Sequence, residues 1–317
     1  MPGAVAILDP MPRTPLFQGR ASTPHAATSA LIAALLFASC SNGQDTRAPA
    51  AEPARPPLPA PNQAISREPG RLARSLTSTT VALRHAIEKW RSSGNPRRGG
   101  PPAEVTLLAL HQQRMYLVLT GRPKLADRVL ARLQGSVRAE ARDTLTARRR
   151  LTRLAGPVVP RRRYRTGRAL PAGILLDHYR KAQRRYGVPW QVLAAVNFVE
   201  TGFNRLRSNS TAGAQGPMQL IPSTWRAYGR GGNIHDAHDA ILGAANYLRA
   251  SGAPRNMRRA LFAYNHSSLY VDAVLAYTRR IRRDPRAFYA YYSWQVFVRM
   301  DSGGTRRLTG PGLGRRP

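Results

Sequence analysis

Three shortages in the sequence limit what this protein can be. A single cysteine, Cys40, occurs among the 317 residues, so no disulfide bond can form within the chain. No apolar run approaches the roughly 20 residues that a membrane-spanning helix needs. Acidic residues are also few, because 16 of them face 50 basic residues and leave a formal net charge of +34. Such a surface attracts polyanions, and nucleic acid, anionic lipid and anionic cell-wall polymers all qualify as partners.

The first 40 residues follow the plan of a signal peptide. An apolar stretch at 30–38 follows a basic segment and ends in small residues. The basic segment contains Arg13, Arg20 and His25. Export from the cytoplasm is therefore predicted, which argues against chromosomal DNA as the partner. The basic runs also lack interleaved aromatic residues and a nucleic-acid recognition motif.

Cys40 stands directly after small residues and resembles the lipid-attachment cysteine of bacterial lipoproteins. Phe37 occupies a position where that motif has a small aliphatic residue, so plain secretion with cleavage nearby is the alternative. Met11 is an alternative start of translation. The predicted location is the cell envelope, with an anchor on the outer face of the cytoplasmic membrane if Cys40 carries lipid.

Composition divides the rest of the chain into five segments. Residues 41–70 are rich in Pro and Ala and are predicted to form a disordered linker. Residues 71–157 carry the apolar period of helices and are predicted to form a basic helical module. An Arg- and Pro-rich linker at 158–170 leads to a helical domain at 171–298. Residues 299–317 are predicted to be a disordered basic tail.

The helical module shows no pattern that indicates chemistry. His85 and His111 are isolated, so no metal site is predicted there. Arginine runs at 148–150 and 161–165 could hold anionic wall polymer or lipid headgroups, and a solvated face with a linker explains them equally well.

Glu200 is the first candidate for chemistry. Residues 189–200 are apolar on nearly every side, which predicts a helix through the middle of the domain with Glu200 at its end. Burial and the negative end of the helix dipole both favour the protonated form and are expected to raise the pKa of its carboxyl. A protonated carboxyl can act as a general acid on a glycosidic oxygen. Pairing with Arg205 or Arg207 is the structural alternative.

Two later segments favour catalysis. Residues 210–222 form a loop rich in small residues, and an apolar helix ends in Tyr264 and Asn265. Together with Glu200 these segments resemble, in order and nearly in spacing, the motifs of the soluble lytic transglycosylase (SLT) domain of the lysozyme-like superfamily. The matching segments are Glu200-Thr201, Phe203-Asn204, Ser210, Ala212-Gly213-Ala214, Gly216-Pro217-Met218-Gln219 and Ala263-Tyr264-Asn265.

The resemblance covers about 171–298 and departs from the family pattern at Thr201, Pro217 and His266. The forms with Pro217 and His266 resemble actinobacterial members of the family. It implies a mainly α, lysozyme-like helical catalytic domain with Glu200 as the catalytic acid and no metal or cofactor. The residues that would line the sugar subsites are Ser210, Met218, Gln219, Tyr264 and Asn265. Core packing for the methionine and tyrosine, and capping for the serine and asparagine, are the structural alternatives.

The count of carboxylates bears on the reaction. After residue 140 the chain has one glutamate, Glu200, whereas a glycoside hydrolase needs a second carboxylate across the scissile bond. Asp272, close behind the Tyr264-Asn265 motif, is the aspartate hardest to assign elsewhere. The resemblance implies a lytic transglycosylase that cleaves peptidoglycan strands without water and leaves 1,6-anhydromuramyl ends. A lysozyme-like hydrolase and a non-catalytic peptidoglycan-binding protein remain the alternatives.

Overall fold

The computed structural model describes residues 57–155, 163–300 and 304–313. The predicted signal peptide, Cys40 and most of the 41–70 linker lie outside these residues. The described part is mainly α-helical, as predicted. Its helices and strands are α1 Pro69–Ser92, α2 Ala103–Thr120, α3 Pro123–Arg132, α4 Gly135–Leu154, α5 Ala172–Tyr186, α6 Trp190–Thr201, α7 Pro222–Tyr228, α8 Ala237–Ala250, α9 Met257–Tyr264, α10 Ser268–Arg283, α11 Arg286–Ser293, β1 Phe297–Arg299 and β2 Thr305–Arg307.

Helix α1 begins where the sequence provides a cap and a proline. Both carboxylate oxygens of Glu68 accept backbone N–H groups, from Gly70 at 2.6 Å and from Arg71 at 2.5 Å. Pro69 occupies the first turn, where its missing N–H costs nothing. The buried face of α1 then packs on α2 and α3. The described part of the predicted module is therefore helical, while its domain boundaries stay a prediction.

The described residues from Leu58 onward belong to one compact unit, and α4 lies along α10 within it. Glu140 on α4 forms a buried ion pair with Arg280 on α10 at 2.5 Å. Asp143, one helical turn further, accepts hydrogen bonds from Arg279 and Arg283. Helix α4 thus supports the helix that follows the Tyr264-Asn265 motif.

Two described segments differ from the predicted disorder. Residues 304–313 contain β2, which pairs antiparallel with β1 in the register Phe297↔Arg307. Near the end of the 41–70 linker, Arg114 on α2 donates a hydrogen bond to the carbonyl oxygen of Gln63 at 2.6 Å. Composition failed to predict both because the groups that are held in these segments are backbone atoms, whose partners composition does not reveal.

Helix α6 runs through the core, as its apolar sequence predicts. All of its residues from 192 to 201 are buried, and it packs on α5, α10 and α11. Gly187 ends α5 in the left-handed conformation at φ 70°. Pro189 then caps the start of α6. None of the described helices is both long enough and apolar enough to cross a membrane.

Candidate active site

Glu200 lies in the last turn of α6, and its side chain is 3% exposed. Gly202 ends the helix two residues after Glu200, with φ 57° in the left-handed region. The hydroxyl of Tyr270, on α10, donates a hydrogen bond of 2.7 Å to Glu200 Oε1. A buried carboxyl is thus held by a side chain that is 70 residues away in sequence.

The arginines considered as alternative partners of Glu200 have other contacts. Arg205 donates to the carbonyl oxygen of Gly202 at 3.1 Å, and its guanidinium lies 4.7 Å from the centre of the Tyr292 ring. Arg207 donates to the carbonyl oxygen of Arg168 at 3.1 Å. These contacts place both arginines in structural roles.

Tyr264 and Tyr270 connect the acid to the glycine-rich loop. Their rings are almost parallel, at 5°, with centres 6.4 Å apart. The Tyr264 hydroxyl donates a hydrogen bond of 2.5 Å to the carbonyl oxygen of Met218. The end of α9 is therefore fixed to the loop, and the start of α10 to the catalytic candidate Glu200.

The loop itself needs glycine at position 216. The backbone of Gly216 has φ 71°, and a Cβ at this position would lie 1.9 Å from the carbonyl oxygen of Ile234. Gln219 also has a positive φ, 48°, and its side-chain amide donates to the carbonyl oxygen of Gly216 at 3.0 Å. The loop is thus closely packed, and its conformation is held from within.

A buried polar network attaches the loop to α6. Asn197 and Thr201 each donate a hydrogen bond of 2.7 Å to the carbonyl oxygen of Pro217. The hydroxyl of Tyr179, on α5, donates to the Asn197 side-chain oxygen at 2.5 Å. Because Thr201 directly follows Glu200, the loop is held one residue from the acid. The hydrogen bond from Thr201 to Pro217 therefore explains why a hydroxyl residue follows Glu200.

The other predicted site residues are all nearly buried, and several have internal partners. The Ser210 hydroxyl accepts the backbone N–H of Ala214 at 2.8 Å and closes the start of the loop. Met218 packs in the hydrophobic core. Asn265 ends α9, and its carbonyl oxygen accepts the N–H of Ser267 at 2.6 Å. The sugar-binding roles of the five residues stay predictions.

Tyr270 is the residue that sequence reasoning missed. It follows the Tyr264-Asn265 motif closely, but it looks like the other buried tyrosines of α10 and α11. Periodicity could assign it to the buried face of α10. Only the packing of α10 on α6 identifies Glu200 as its partner.

Asp272, the aspartate hardest to assign from sequence, has partners of its own. It pairs with Arg258 at 2.9 Å and with Arg150 at 3.5 Å. It lies two residues after Tyr270, so the two side chains point about 200° apart around α10. Since Tyr270 faces Glu200, Asp272 faces away from the acid and towards α4.

Other acidic groups of the domain also have structural contacts. Asp177 pairs with Arg97 at 2.6 Å, and Asp284 pairs with Arg286 at 2.8 Å. Asp236 caps the start of α8 by accepting the N–H of Asp239 at 3.0 Å. These contacts account for the aspartates without a catalytic role.

Asp236, His238 and Asp239 form the one cluster of metal-ligand type among the described residues, with ligand atoms within 4.8 Å of one another. The Asp239 carboxylate accepts the N–H of Asn233 at 2.9 Å and lies 3.0 Å from His238 Nδ1. The backbone N–H of Asn233 lowers the pKa of Asp239, and His238 lowers it further. The three side chains therefore have a structural role, because they stabilise the start of α8 and the turn before it.

Comparison with known proteins agrees with this geometry. Residues 177–284 match the family model of the transglycosylase SLT domain, a range that includes Glu200, the loop and Tyr270. A curated relative is the membrane-bound lytic murein transglycosylase F of Thiobacillus denitrificans (strain ATCC 25259 / T1), 36% identical over 74 residues. That match covers 23% of this chain and 15% of the relative. No solved structure matches the chain.

This part of the chain is thus similar to the SLT domain, and the mainly helical fold is consistent with that likeness. The chain spans only a small share of the relative that it matches.

Proposed function

We propose that the protein is a peptidoglycan lytic transglycosylase that cleaves the β-1,4 bond between N-acetylmuramic acid and N-acetylglucosamine. Glu200 protonates the leaving oxygen as a general acid. The resulting carboxylate then takes a proton from the muramyl 6-hydroxyl, which attacks the anomeric carbon and forms a 1,6-anhydromuramyl end. The glycosidic bond breaks as the bond from the 6-hydroxyl oxygen forms, and Glu200 regains the proton that it donated. The reaction therefore consumes no water and needs no nucleophile besides the muramyl 6-hydroxyl.

The observation that carries this proposal is that Glu200, the one buried carboxyl among residues 171–298, is held by Tyr270 at the end of α6. Both a retaining and an inverting hydrolase require a partner carboxylate across the scissile bond. The described aspartates of the domain are engaged in ion pairs and helix starts, and Asp272 faces α4. The match to the SLT domain model and the name of the curated relative support the same reaction.

The same proposal covers the sugar-binding residues, the cellular location and the partners of the protein. Ser210, Met218, Gln219, Tyr264 and Asn265 line the sugar subsites in this proposal. The protein acts in the cell envelope after export, as an actinobacterial-type member of the family, and Cys40 attaches it to lipid. Its basic segments contact anionic wall polymers or membrane headgroups. The curated relative is named as a membrane-bound enzyme, which supports the envelope location.

The test is digestion of purified cell wall by wild-type protein and by Glu200→Gln, with the soluble muropeptides identified by mass spectrometry. Anhydro muropeptides are expected from the wild type. Loss of a general acid should lower their release on the order of 10²- to 10⁴-fold in Glu200→Gln. Asp272→Asn is the matched control, because it removes a carboxylate that faces away from the acid, and it should retain most of the activity.

Three outcomes would contradict the proposal in different ways. Products with reducing ends and no anhydro form would indicate a lysozyme-like hydrolase. Unchanged release by Glu200→Gln would mean that another residue is the acid. Wild-type protein that sediments with wall and releases nothing would indicate a non-catalytic binding protein.

A further inference from the structure

A cavity lies between the end of α2, helix α4 and the strands β1 and β2. Its volume is about 350 Å³, within the range of small-molecule sites. Its apolar lining includes Leu117, Val118, Leu151 and Phe297. Its charged lining residues are arginines, namely Arg122, Arg148 and Arg299, and none of its described lining residues is acidic. The described lining therefore combines apolar walls with positively charged side chains.

Arg148 is the buried member of this set, at 4% exposure. Its Nε donates a hydrogen bond of 3.0 Å to the hydroxyl of Thr120, and its guanidinium lies 5.7 Å from the centre of the Trp294 ring. Its Nη1 has no hydrogen-bond partner within the described ranges. A guanidinium offers five N–H donors, and the two on Nη1 of Arg148 are therefore unused within the described residues.

Arg280 shows how the same protein treats another buried arginine. Burial acts to lower the pKa of Arg280, but the carboxylates of Glu140 and Asp284 outweigh it, and the pKa is raised. At Arg148 burial lowers the pKa, and the phenols of Tyr277 and Tyr291 oppose this only in part. The fold supplies a carboxylate to one buried guanidinium and leaves the other facing a cavity.

We propose that this cavity binds a small organic anion, with its carboxylate or phosphate on Arg148 and its aliphatic part against Leu117, Leu151 and Phe297. A guanidinium matches the planar, paired oxygens of a carboxylate and binds phosphate in a similar way. The anion would satisfy donors that the protein leaves unpaired. The apolar walls would exclude water from the contact and strengthen it.

The first experiment uses full-length wild-type protein and isothermal titration calorimetry. Octanoate and octyl phosphate carry the proposed anion on an aliphatic chain, and octanol is the matched neutral probe. The anions are expected to bind with dissociation constants below about 1 mM, and octanol at least about tenfold more weakly. Bound anion should also raise the midpoint of thermal unfolding as its concentration rises. Equal binding of octanol, or no binding of either anion, would overturn the proposal.

The second experiment places the binding at Arg148. Arg148→Gln should weaken octanoate binding at least about tenfold, because it removes the charge-assisted hydrogen bonds. Arg153→Gln is the matched control, since Arg153 is exposed on the same helix. Undiminished binding in a folded Arg148→Gln variant would overturn the assignment, and the comparison of octanoate with octanol remains decisive if that variant fails to fold.

A third arm identifies the source of the anion. Titration with acetyl-D-alanyl-D-alanine tests a peptide carboxylate against the lipid-type octanoate. Tighter binding of the peptide supports a site for peptide termini, and tighter binding of octanoate supports a site for lipid-derived anions. Both results leave the anion site supported, provided that octanoate or octyl phosphate binds in the first experiment. If neither binds, the proposal is refuted whatever the peptide does.

Discussion

Removal of the Tyr270 hydroxyl tests whether its hydrogen bond to Glu200 supports glycan cleavage. The change Tyr270→Phe deletes one oxygen atom and preserves the ring that stacks on Tyr264. Both partners of the hydrogen bond are buried, at 2% and 3% exposure, so water cannot easily replace the lost donor. Tyr270 is thus proposed as a positioning residue for the acid.

The expected loss follows from the strength of such a bond. A hydrogen bond to an ionised group contributes about 1.5–3 kcal/mol. Each 1.36 kcal/mol of transition-state stabilisation corresponds to a tenfold change in rate, so kcat should fall about 10- to 150-fold. KM should change little, because Tyr270 contacts the acid and not the sugar in this proposal.

The assay is the initial rate of anhydro muropeptide release, measured at several wall concentrations. Tyr277→Phe is the matched control: Tyr277 is also buried on α10, but its hydroxyl has no hydrogen-bond partner in the part of the chain that the structure describes. Circular dichroism should show that both variants are folded at the assay temperature. The reasoning is refuted if Tyr270→Phe keeps more than half of the wild-type kcat, or if Tyr277→Phe loses as much.

Two further predictions concern the interior of the helical module. Replacement of Glu140 by Gln should lower the free energy of unfolding by about 3 kcal/mol, because it leaves the buried charge of Arg280 without its closest partner. Urea denaturation measures this loss. His111 has a lowered pKa, caused first by burial and then by Arg114. Its contribution to stability is complete above the unfolded value of 6.5 and is lost as the pH falls towards the folded pKa, so His111→Leu should flatten this pH dependence.

The controls are exposed residues of the same types. Glu88→Gln removes a surface ion pair with Arg91 and should cost at most about 1 kcal/mol. A comparable cost for Glu140→Gln would show that the buried pair contributes little. For the pH dependence, the control is His85→Gln, on the exposed side of α1. The free energy of unfolding of the wild type, His111→Leu and His85→Gln is measured at pH 7 and at pH 5.5. If the wild type and His111→Leu lose stability equally over this interval, the assignment to His111 is wrong.

Several features of the site were predictable because they depend on local sequence. The apolar residues of α6 required a buried helix, and Gly187, Pro189 and Gly202 set its limits through their backbone preferences. Glu200 therefore had to lie at the end of a core helix. The glycine-rich loop was also recognisable, although the close approach of Gly216 to Ile234 was not.

The contacts that join these elements were not predictable, since their residues are distant in sequence and share no period. Tyr270 meets Glu200 only because α10 packs on α6. The pairing of β1 with β2, which gives structure to a segment predicted as a disordered tail, depends on backbone groups that composition does not reveal.

The sequence by itself determined that this protein has a helical domain with Glu200, its one glutamate after residue 140, at the end of a core helix. The tertiary structure decided what holds that acid and what surrounds it. Helix periods and turns follow from interactions between near neighbours, which a sequence displays directly. The hydrogen bond of Tyr270 and the orientation of Asp272 depend on how helices pack, because only the folded chain brings their partners together. The same packing buries Arg148 and leaves its Nη1 without a hydrogen-bond partner among the described residues.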